Sequence, residues 1–240
     1  GDYIVGRLAR PKIPLSQVTA ASSAFPPVLS PMELSFGLGE FTDWPSETRK
    51  LVPYSELVTM RSKICLTDGG VYDNQGLEPV LKRYMTVLVS DGGAPFSRGR
   101  VADWDWIRQL RRTLDIADNQ VRALRRRDLI ARFSAGNAMF AAGTLPDPKT
   151  LPYERRGAYW GIDTDANHAG PAGALPCSPE IAKPLARIPT RLADLGSQTG
   201  MRLVNWGYAI CDRSIRKHFA GAEEFRSQAP AWPFPQASLE

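Results

Sequence analysis

The sequence predicts an α/β fold. Two short apolar runs, at residues 64–66 and 85–90, have the length and composition of strands, and each leads into an Asp-Gly-Gly triplet. The first run is expected to be buried. Between them a helix is predicted at about 75–84, which Asn74 can cap and whose apolar side chains are Leu77, Val80, Leu81 and Tyr84. Strand, helix and strand in so short a span are typical of a βαβ unit, which joins two parallel strands by a right-handed crossover.

Both triplets place an aspartate where a strand ends. In the predicted unit Asp68 and Asp91 lie on the same edge of the sheet, outside the carboxyl ends of the strands, where α/β proteins bind their ligands. The two glycines after each aspartate allow a sharp backbone turn. Because Asp and Gly are also the commonest turn residues, a triplet taken alone favours a simple turn over a functional site.

The segment before the first triplet predicts one helix and a long surface connection. Residues 1–14 are expected to form a strand or loop, and helical spacing with many small side chains follows over 15–24. This helix must end there, because the Pro-Pro pair that follows removes backbone donors and disfavours the α conformation before it. Residues 28–34 are expected to be extended, and 36–62 to run over the surface.

Three further elements follow the second triplet. The strongest helical pattern covers 101–133, a strand is predicted at 158–163, and a last helix at 200–219. A length of 240 residues and a hydrophobic fraction of 43% suit one domain, which we assign to 1–220. A Pro-rich tail at 221–240 completes the chain, and its last part is expected to be mobile.

The polar face of the 101–133 helix is rich in arginine. Aspartates interleave with the arginines at pairing distances, so a solvated helix face explains the pattern about as well as a binding function does. Residues 125–127 form the one dense cluster, whose charge suits the phosphates of lipid head groups or nucleic acid. The arginines are Arg108, Arg111, Arg112, Arg122, Arg125, Arg126, Arg127 and Arg132, and the aspartates are Asp105, Asp115, Asp118 and Asp128.

Composition narrows the class of protein. Cys65, Cys177 and Cys211 are odd in number and widely spaced, which disfavours a disulfide framework or a zinc site and indicates a reducing compartment, the cytoplasm. The 30 basic and 25 acidic residues give a net charge of +5, which leaves anionic membranes and nucleic acid open as partners. No run approaches the roughly 20 apolar residues that span a bilayer.

Familiar catalytic motifs are missing from the sequence. It contains no phosphate-binding loop, no dinucleotide fingerprint and no His-Glu-x-x-His. The two histidines, His168 and His218, are expected to be surface residues rather than general bases. Residues 196–200 approach a Gly-x-Ser-x-Gly elbow, but the serine stands one place too early. Because the chain begins at Gly1 rather than Met, we expect a fragment whose nucleophile lies elsewhere.

Two blocks of sequence carry a resemblance to a known family. Residues 21–31, Ala-Ser-Ser-Ala-Phe-Pro-Pro-Val-Leu-Ser-Pro, and 68–74, Asp-Gly-Gly-Val-Tyr-Asp-Asn, together resemble the second half of bacterial patatin-like phospholipases. Weaker likeness extends over most of residues 5–215. One departure is Gln75-Gly76-Leu77, where many relatives carry a Pro soon after the Asn, which leaves the helix start open.

The resemblance implies a lipid acyl hydrolase with a Ser-Asp dyad and no metal or organic cofactor. Its fold would be a three-layer sandwich around a mostly parallel sheet, present here only as the carboxyl-terminal part. Asp68 matches the dyad aspartate, and Gly69 and Gly70 would let the backbone pass close to a serine elbow that belongs to the missing amino-terminal half. The implied partners are a lipid or other acyl ester and, peripherally, an anionic membrane, with nucleic acid not favoured.

Two alternatives stay open at this point. Asp91 has the same strand-end position as Asp68, although only Asp68 is followed by the Val-Tyr-Asp-Asn block. In the second alternative the chain is a non-catalytic interaction module, whose arginine-rich helix binds anionic lipid or nucleic acid while both triplets are structural.

Overall fold

A computed structural model describes residues 2–26, 29–44, 52–96, 99, 104–144, 147, 153–165, 170–189 and 193–240. The chain divides into two units, Gly1–Leu77 and Glu78–Glu240. It is a mixed α/β protein with a small parallel sheet, as the class predicted from the sequence requires. Within the described ranges, no helix combines the length and the apolar character that crossing a bilayer demands.

The first unit contains short helices and two small antiparallel strand pairs. Its elements in chain order are β1 (Arg7–Leu8), α1 (Leu15–Ser22), β2 (Met32–Ser35), β3 (Phe41–Thr42), α2 (Tyr54–Ser62), β4 (Lys63–Leu66) and α3 (Gly70–Asp73). β1 pairs with β3, and β2 pairs with β4 with Met32 opposite Leu66. The helix predicted at 15–24 is thus confirmed as α1, two residues shorter at its end.

β4 differs from its prediction in both burial and pairing. Three of its four residues are exposed, and its antiparallel neighbour is β2 rather than a parallel strand. Lys63 and Glu33 lie diagonally across this pair, with their charged atoms 2.7 Å apart at the surface. The expectation of a buried strand was wrong, because an apolar run this short does not distinguish a buried strand from one at a surface.

The helix predicted at 75–84 is shorter than expected, and a separate helical turn, α3, precedes it. α3 ends at Asp73, and α4 (Leu77–Leu81) begins only after Gly76, which adopts a positive φ of 62°. A glycine in this left-handed conformation interrupts helical hydrogen bonding. The helix start, which the departure at residues 75–77 left open, is therefore at Leu77 rather than Gln75.

The second unit is built around one parallel strand pair. Its remaining elements are β5 (Thr86–Asp91), α5 (Trp106–Ala141), β6 (Arg156–Gly161), α6 (Pro179–Leu185), α7 (Ser197–His218) and α8 (Glu223–Ser227). β5 and β6 run parallel, from Thr86 opposite Arg156 to Asp91 opposite Gly161. The helices predicted at 101–133 and 200–219 and the strand predicted at 158–163 are confirmed as α5, α7 and β6, with shifted ends and residues 101–103 outside the described ranges.

The predicted βαβ unit was wrong in its choice of strands. β4 pairs with β2, and β5 takes β6 as its parallel partner, so the crossover runs through the 36-residue α5 and not through the short segment after the first triplet. A parallel pair needs a connection long enough to return the chain to the same end of the sheet, and α5 provides it.

Close backbone approach fixes how α5 lies on the sheet. Gly136 of α5 passes so near to the Arg155 backbone that a Cβ atom would overlap it, and Gly157 stands equally close to Val87. Leu129 and Phe133 pack on the same side of α5 and are buried. The side-chain amide of Asn137 then bonds the Gly157 carbonyl at 2.9 Å. The carboxyl-terminal half of α5 is thereby attached to β6.

The Pro-rich tail is packed rather than loose. Ala237 and Leu239 are buried, and the backbone N–H of Ser178 donates to the Leu239 carbonyl at 2.6 Å. Asn205, fully buried in α7, donates to the carbonyls of Phe234 and Ala237 and accepts from the Phe234 N–H. These contacts satisfy four polar backbone groups of the tail, and composition alone did not predict them.

Candidate functional site

The structure brings together the ends of α1 and β4. The backbone N–H of Asp68 donates to the carbonyl of Ala24 at 2.9 Å, and the Thr67 hydroxyl donates to the same oxygen at 3.2 Å. The Ser30 hydroxyl in turn donates to the Thr67 hydroxyl at 2.9 Å. The two blocks that carry the family resemblance, residues 21–31 and 68–74, therefore meet at the position of Asp68.

Asp68 presents a carboxylate with one oxygen in use. The side chain is half-buried, and its Oδ1 accepts a hydrogen bond of 2.6 Å from the backbone N–H of Gly70. No hydrogen bond or ion pair engages Oδ2 among the residues whose placement is described. This oxygen is consequently available to accept a proton from another group.

Gly70 keeps this arrangement open, whereas Gly69 does not need to be glycine for its own conformation. A Cβ atom on Gly70 would stand 2.9 Å from Asp68 Oδ1 and 2.8 Å from the side-chain oxygen of Asn74, so a larger residue would displace both. Gly69 has an ordinary helical φ of −60°, and a Cβ atom there would meet nothing within 4 Å. The space beside Gly69 is open.

Apolar side chains flank the aspartate and stay exposed. Leu66 and Val71, on either side of Asp68 in the sequence, are 36% and 53% exposed. Phe25 follows the residue whose carbonyl binds the Asp68 N–H, and Leu29 precedes Ser30; both are more than half exposed. The first unit therefore offers apolar surface next to a carboxylate.

Asp91, the aspartate of the second triplet, lies in a different environment. It is buried, and its Oδ2 accepts hydrogen bonds from Arg122 Nε at 2.8 Å and from the Tyr159 hydroxyl at 2.6 Å. Its Oδ1 accepts from the Gly93 N–H at 2.9 Å. The remaining guanidinium nitrogens of Arg122 bond the carbonyls of Gly93 and Ala94, so this cluster holds the turn after β5.

The charges of this cluster stabilise one another. Burial by itself would raise the pKa of Asp91, but the hydrogen bonds from Tyr159 and Arg122 outweigh it and leave the pKa below its ordinary value. Burial and the bond to Asp91 both raise the pKa of Tyr159. Asp91 is thus a fully bonded anion, which makes it a poor proton acceptor and assigns the second triplet a structural role.

The stabilisation that comes from the charge of Asp91 should be lost in acid. Because its folded-state pKa lies below the unfolded value of about 3.9, the anion stabilises the fold fully above about pH 5 and less as the pH falls through 4. We expect the free energy of unfolding of the parent to fall more steeply over about pH 5 to 3 than that of Asp91→Asn. Urea titrations at several pH values measure both slopes, and equal slopes would contradict the charged assignment.

The arginine-rich face of α5 is largely used within the protein. Arg132 pairs with Asp128 at 2.6 Å, Arg108 with Asp105 at 3.0 Å, and Arg112 lies over the Phe96 ring at 4.4 Å. Two of the four interleaved aspartates, Asp105 and Asp128, therefore pair as the solvated-face interpretation predicts. His168 lies outside the described residues, and His218 stands exposed at the end of α7.

The sequence did not predict the cluster around Asp91. Arg122 and Tyr159 lie 31 and 68 residues away from Asp91 in the chain, and no spacing rule connects them.

Within the described ranges, no group of three or more His, Cys, Asp or Glu side chains is placed to hold a metal ion. No known protein family, no curated protein and no solved structure matches this chain. The assignment of the candidate site to Asp68 is therefore supported by the geometry of the site and by no known relative.

Proposed function

We propose that this chain carries the aspartate of a Ser-Asp lipid acyl hydrolase, with Asp68 as the base and the serine in a segment outside these 240 residues. One observation carries the proposal: Asp68 lies two residues beyond the end of β4 with its Oδ2 free of any hydrogen bond or ion pair among the described residues, whereas Asp91 is fully bonded. Of the two triplets, only the first holds a carboxylate with an oxygen that no described residue engages, and this oxygen is open to a serine hydroxyl.

The geometry of Asp68 suits direct proton transfer. The N–H of Gly70 fixes Oδ1, which leaves Oδ2 to accept the proton of a serine hydroxyl that lies within hydrogen-bond reach. The oxygen of that serine then attacks the ester carbonyl, and backbone donors stabilise the negative charge that develops on the carbonyl oxygen. The alcohol leaves with a proton returned by the carboxylic acid, and water hydrolyses the acyl-enzyme.

The surface beside Asp68 favours an apolar acyl group over a charged substrate. Phe25, Leu29 and Val71 are 56%, 62% and 53% exposed, and each is close in sequence either to Asp68 or to the residues that bind its backbone and Thr67. Clusters of exposed apolar side chains often mark surfaces that bind a ligand or a partner. Fatty-acyl esters, including phospholipids, are the substrate class this surface suits, and a patatin-like sandwich completed by the missing segment is the fold we propose for the whole protein.

A serine probe tests where the nucleophile lies. We expect a fluorophosphonate to leave the 240-residue chain unlabelled and p-nitrophenyl butyrate to be hydrolysed no faster than in buffer, because the sequence contains no Gly-x-Ser-x-Gly motif. The longer protein that includes a Gly-x-Ser-x-Gly segment should be labelled, and replacing that serine by alanine should abolish labelling. Turnover by the 240-residue chain that fluorophosphonate inhibits would contradict the proposal.

A further inference from the structure

α5 carries two separate faces. One face packs on the sheet and includes Leu129, Phe133 and Gly136. Arg122 lies on the same face, seven residues before Leu129, and binds Asp91. The other face belongs to the amino-terminal half of the helix, where apolar residues recur at alternating intervals of three and four. We name it the 107–124 stripe, and its residues are Ile107, Leu110, Leu114, Ala117, Val121 and Leu124.

The 107–124 stripe is uncovered. Ile107, Leu110, Leu114, Val121 and Leu124 are 62%, 51%, 43%, 47% and 50% exposed. Alternating intervals of three and four are the a and d positions of a heptad, the narrow apolar seam by which two helices pack together. A contiguous apolar seam of this kind on a helix surface marks an interaction site.

Charged residues border the stripe on one side. Arg111 and Asp118 occupy equivalent e positions one heptad apart, and neither forms a hydrogen bond or ion pair with other described residues. The opposite border carries Thr113 and Gln120, which are uncharged. The stripe is therefore bordered by charges of both signs that no described residue pairs, at positions that face a second helix.

We propose that the 107–124 stripe pairs with the same stripe of a second copy, with the two helices antiparallel. In this register Leu114 faces Ala117 of the other copy, and Arg111 faces Asp118. The two-fold axis repeats both contacts, so each large side chain meets a small one and two ion pairs form. In a parallel pair, Ala117 would face Ala117 of the other copy and leave a gap. Arg111 of one copy would then not meet Asp118 of the other.

The attachment of α5 to β6 fits this arrangement. The contacts of Arg132 and Asn137 with residues 155–157 place the sheet beside the carboxyl-terminal half of the helix. Antiparallel pairing of the amino-terminal halves sends these sheet-bearing ends in opposite directions. Parallel pairing would bring the two sheets to the same end of the helix pair, where they compete for space.

An anionic membrane is the other surface that this half of α5 could meet, because Trp104 and Trp106 are 84% and 70% exposed and arginines lie nearby. Asp118 at the border of the stripe disfavours it, since its carboxylate would face anionic head groups. The same aspartate has a partner of opposite charge in the helix pair.

Analytical ultracentrifugation of the 240-residue chain tests the pairing. We expect a dimer at tens of micromolar, and Leu114→Glu should weaken it by at least about 100-fold because it buries two unpaired charges. Ile116→Glu is the matched control: Ile116 is 50% exposed on the same helix but lies off the stripe, so its variant should remain dimeric. Circular dichroism checks that both variants keep their helix content.

A charge exchange tests the antiparallel register. Arg111→Asp should weaken the dimer by about tenfold, because two attractive pairs become repulsive, and Arg111→Asp with Asp118→Arg should return it to within about threefold of the parent. A monomeric parent, a Leu114→Glu dimer of parental strength or failure of the exchange to restore pairing would overturn the proposal. So would a monomer that binds phosphatidylglycerol vesicles through Leu114.

Discussion

Replacing Arg122 by methionine should destabilise the Glu78–Glu240 unit by about 3–5 kcal/mol, because it leaves a buried carboxylate without its cation. The side chains of Arg122 and Asp91 are only 16% and 5% exposed, so water cannot take the place of the guanidinium. The carbonyls of Gly93 and Ala94 would also lose their donors. Urea unfolding followed by circular dichroism measures the loss, and tryptophan fluorescence reports the same unit through Trp160 and Trp206.

Arg127→Met is the matched control, because Arg127 is exposed on the same helix and pairs with no described residue. Its variant should change the free energy of unfolding by less than about 0.5 kcal/mol. Combining Arg122→Met with Asp91→Asn should recover part of the lost stability, since the second change removes the unpaired charge. If Arg122→Met unfolds with parental stability, the cluster does not hold the turn after β5.

Local periodicity accounts for what could be predicted from the sequence. α1, α5 and α7 repeat apolar residues at helical intervals, and each pattern lies within the helix itself, so no other part of the chain is needed to recognise it. The strands β5 and β6 were located for the same reason. The pairing of the strands could not be predicted in this way. β4 and β5 look alike in sequence, whereas their partners, β2 and β6, are determined by tertiary packing.

The same distinction separates the two aspartates. Sequence placed Asp68 and Asp91 in identical triplets, and only the surrounding structure shows that Arg122 and Tyr159 bind the second one. The tail was misjudged for a related reason. Its prolines suggested a loose segment, but Leu239 is buried, and the bonds made by Asn205 join residues 29 and 32 positions apart. Long-range polar contacts have no sequence period.

Asp68→Asn should lower kcat for a short-chain ester by about 10²–10⁴-fold in the longer protein that supplies the serine. The amide is nearly the same size as the carboxylate, and its oxygen can still accept the hydrogen bond from the Gly70 N–H, so the turn should keep its shape. A neutral amide, however, cannot take the serine proton. KM should change little, because the apolar surface beside residue 68 is untouched.

Asp91→Asn is the control that separates the two triplets, because both changes remove one carboxylate from the same three-residue motif. Per folded molecule, Asp91→Asn should keep kcat within a few-fold of the parent while losing stability, since its oxygens bind Arg122 and Tyr159 rather than a substrate. Asp68→Asn should do the reverse, with parental stability and almost no turnover. Kinetics combined with urea unfolding of both variants gives the comparison, and an Asp68→Asn enzyme within a few-fold of parental kcat would exclude Asp68 as the base, whatever the stability of the other variant.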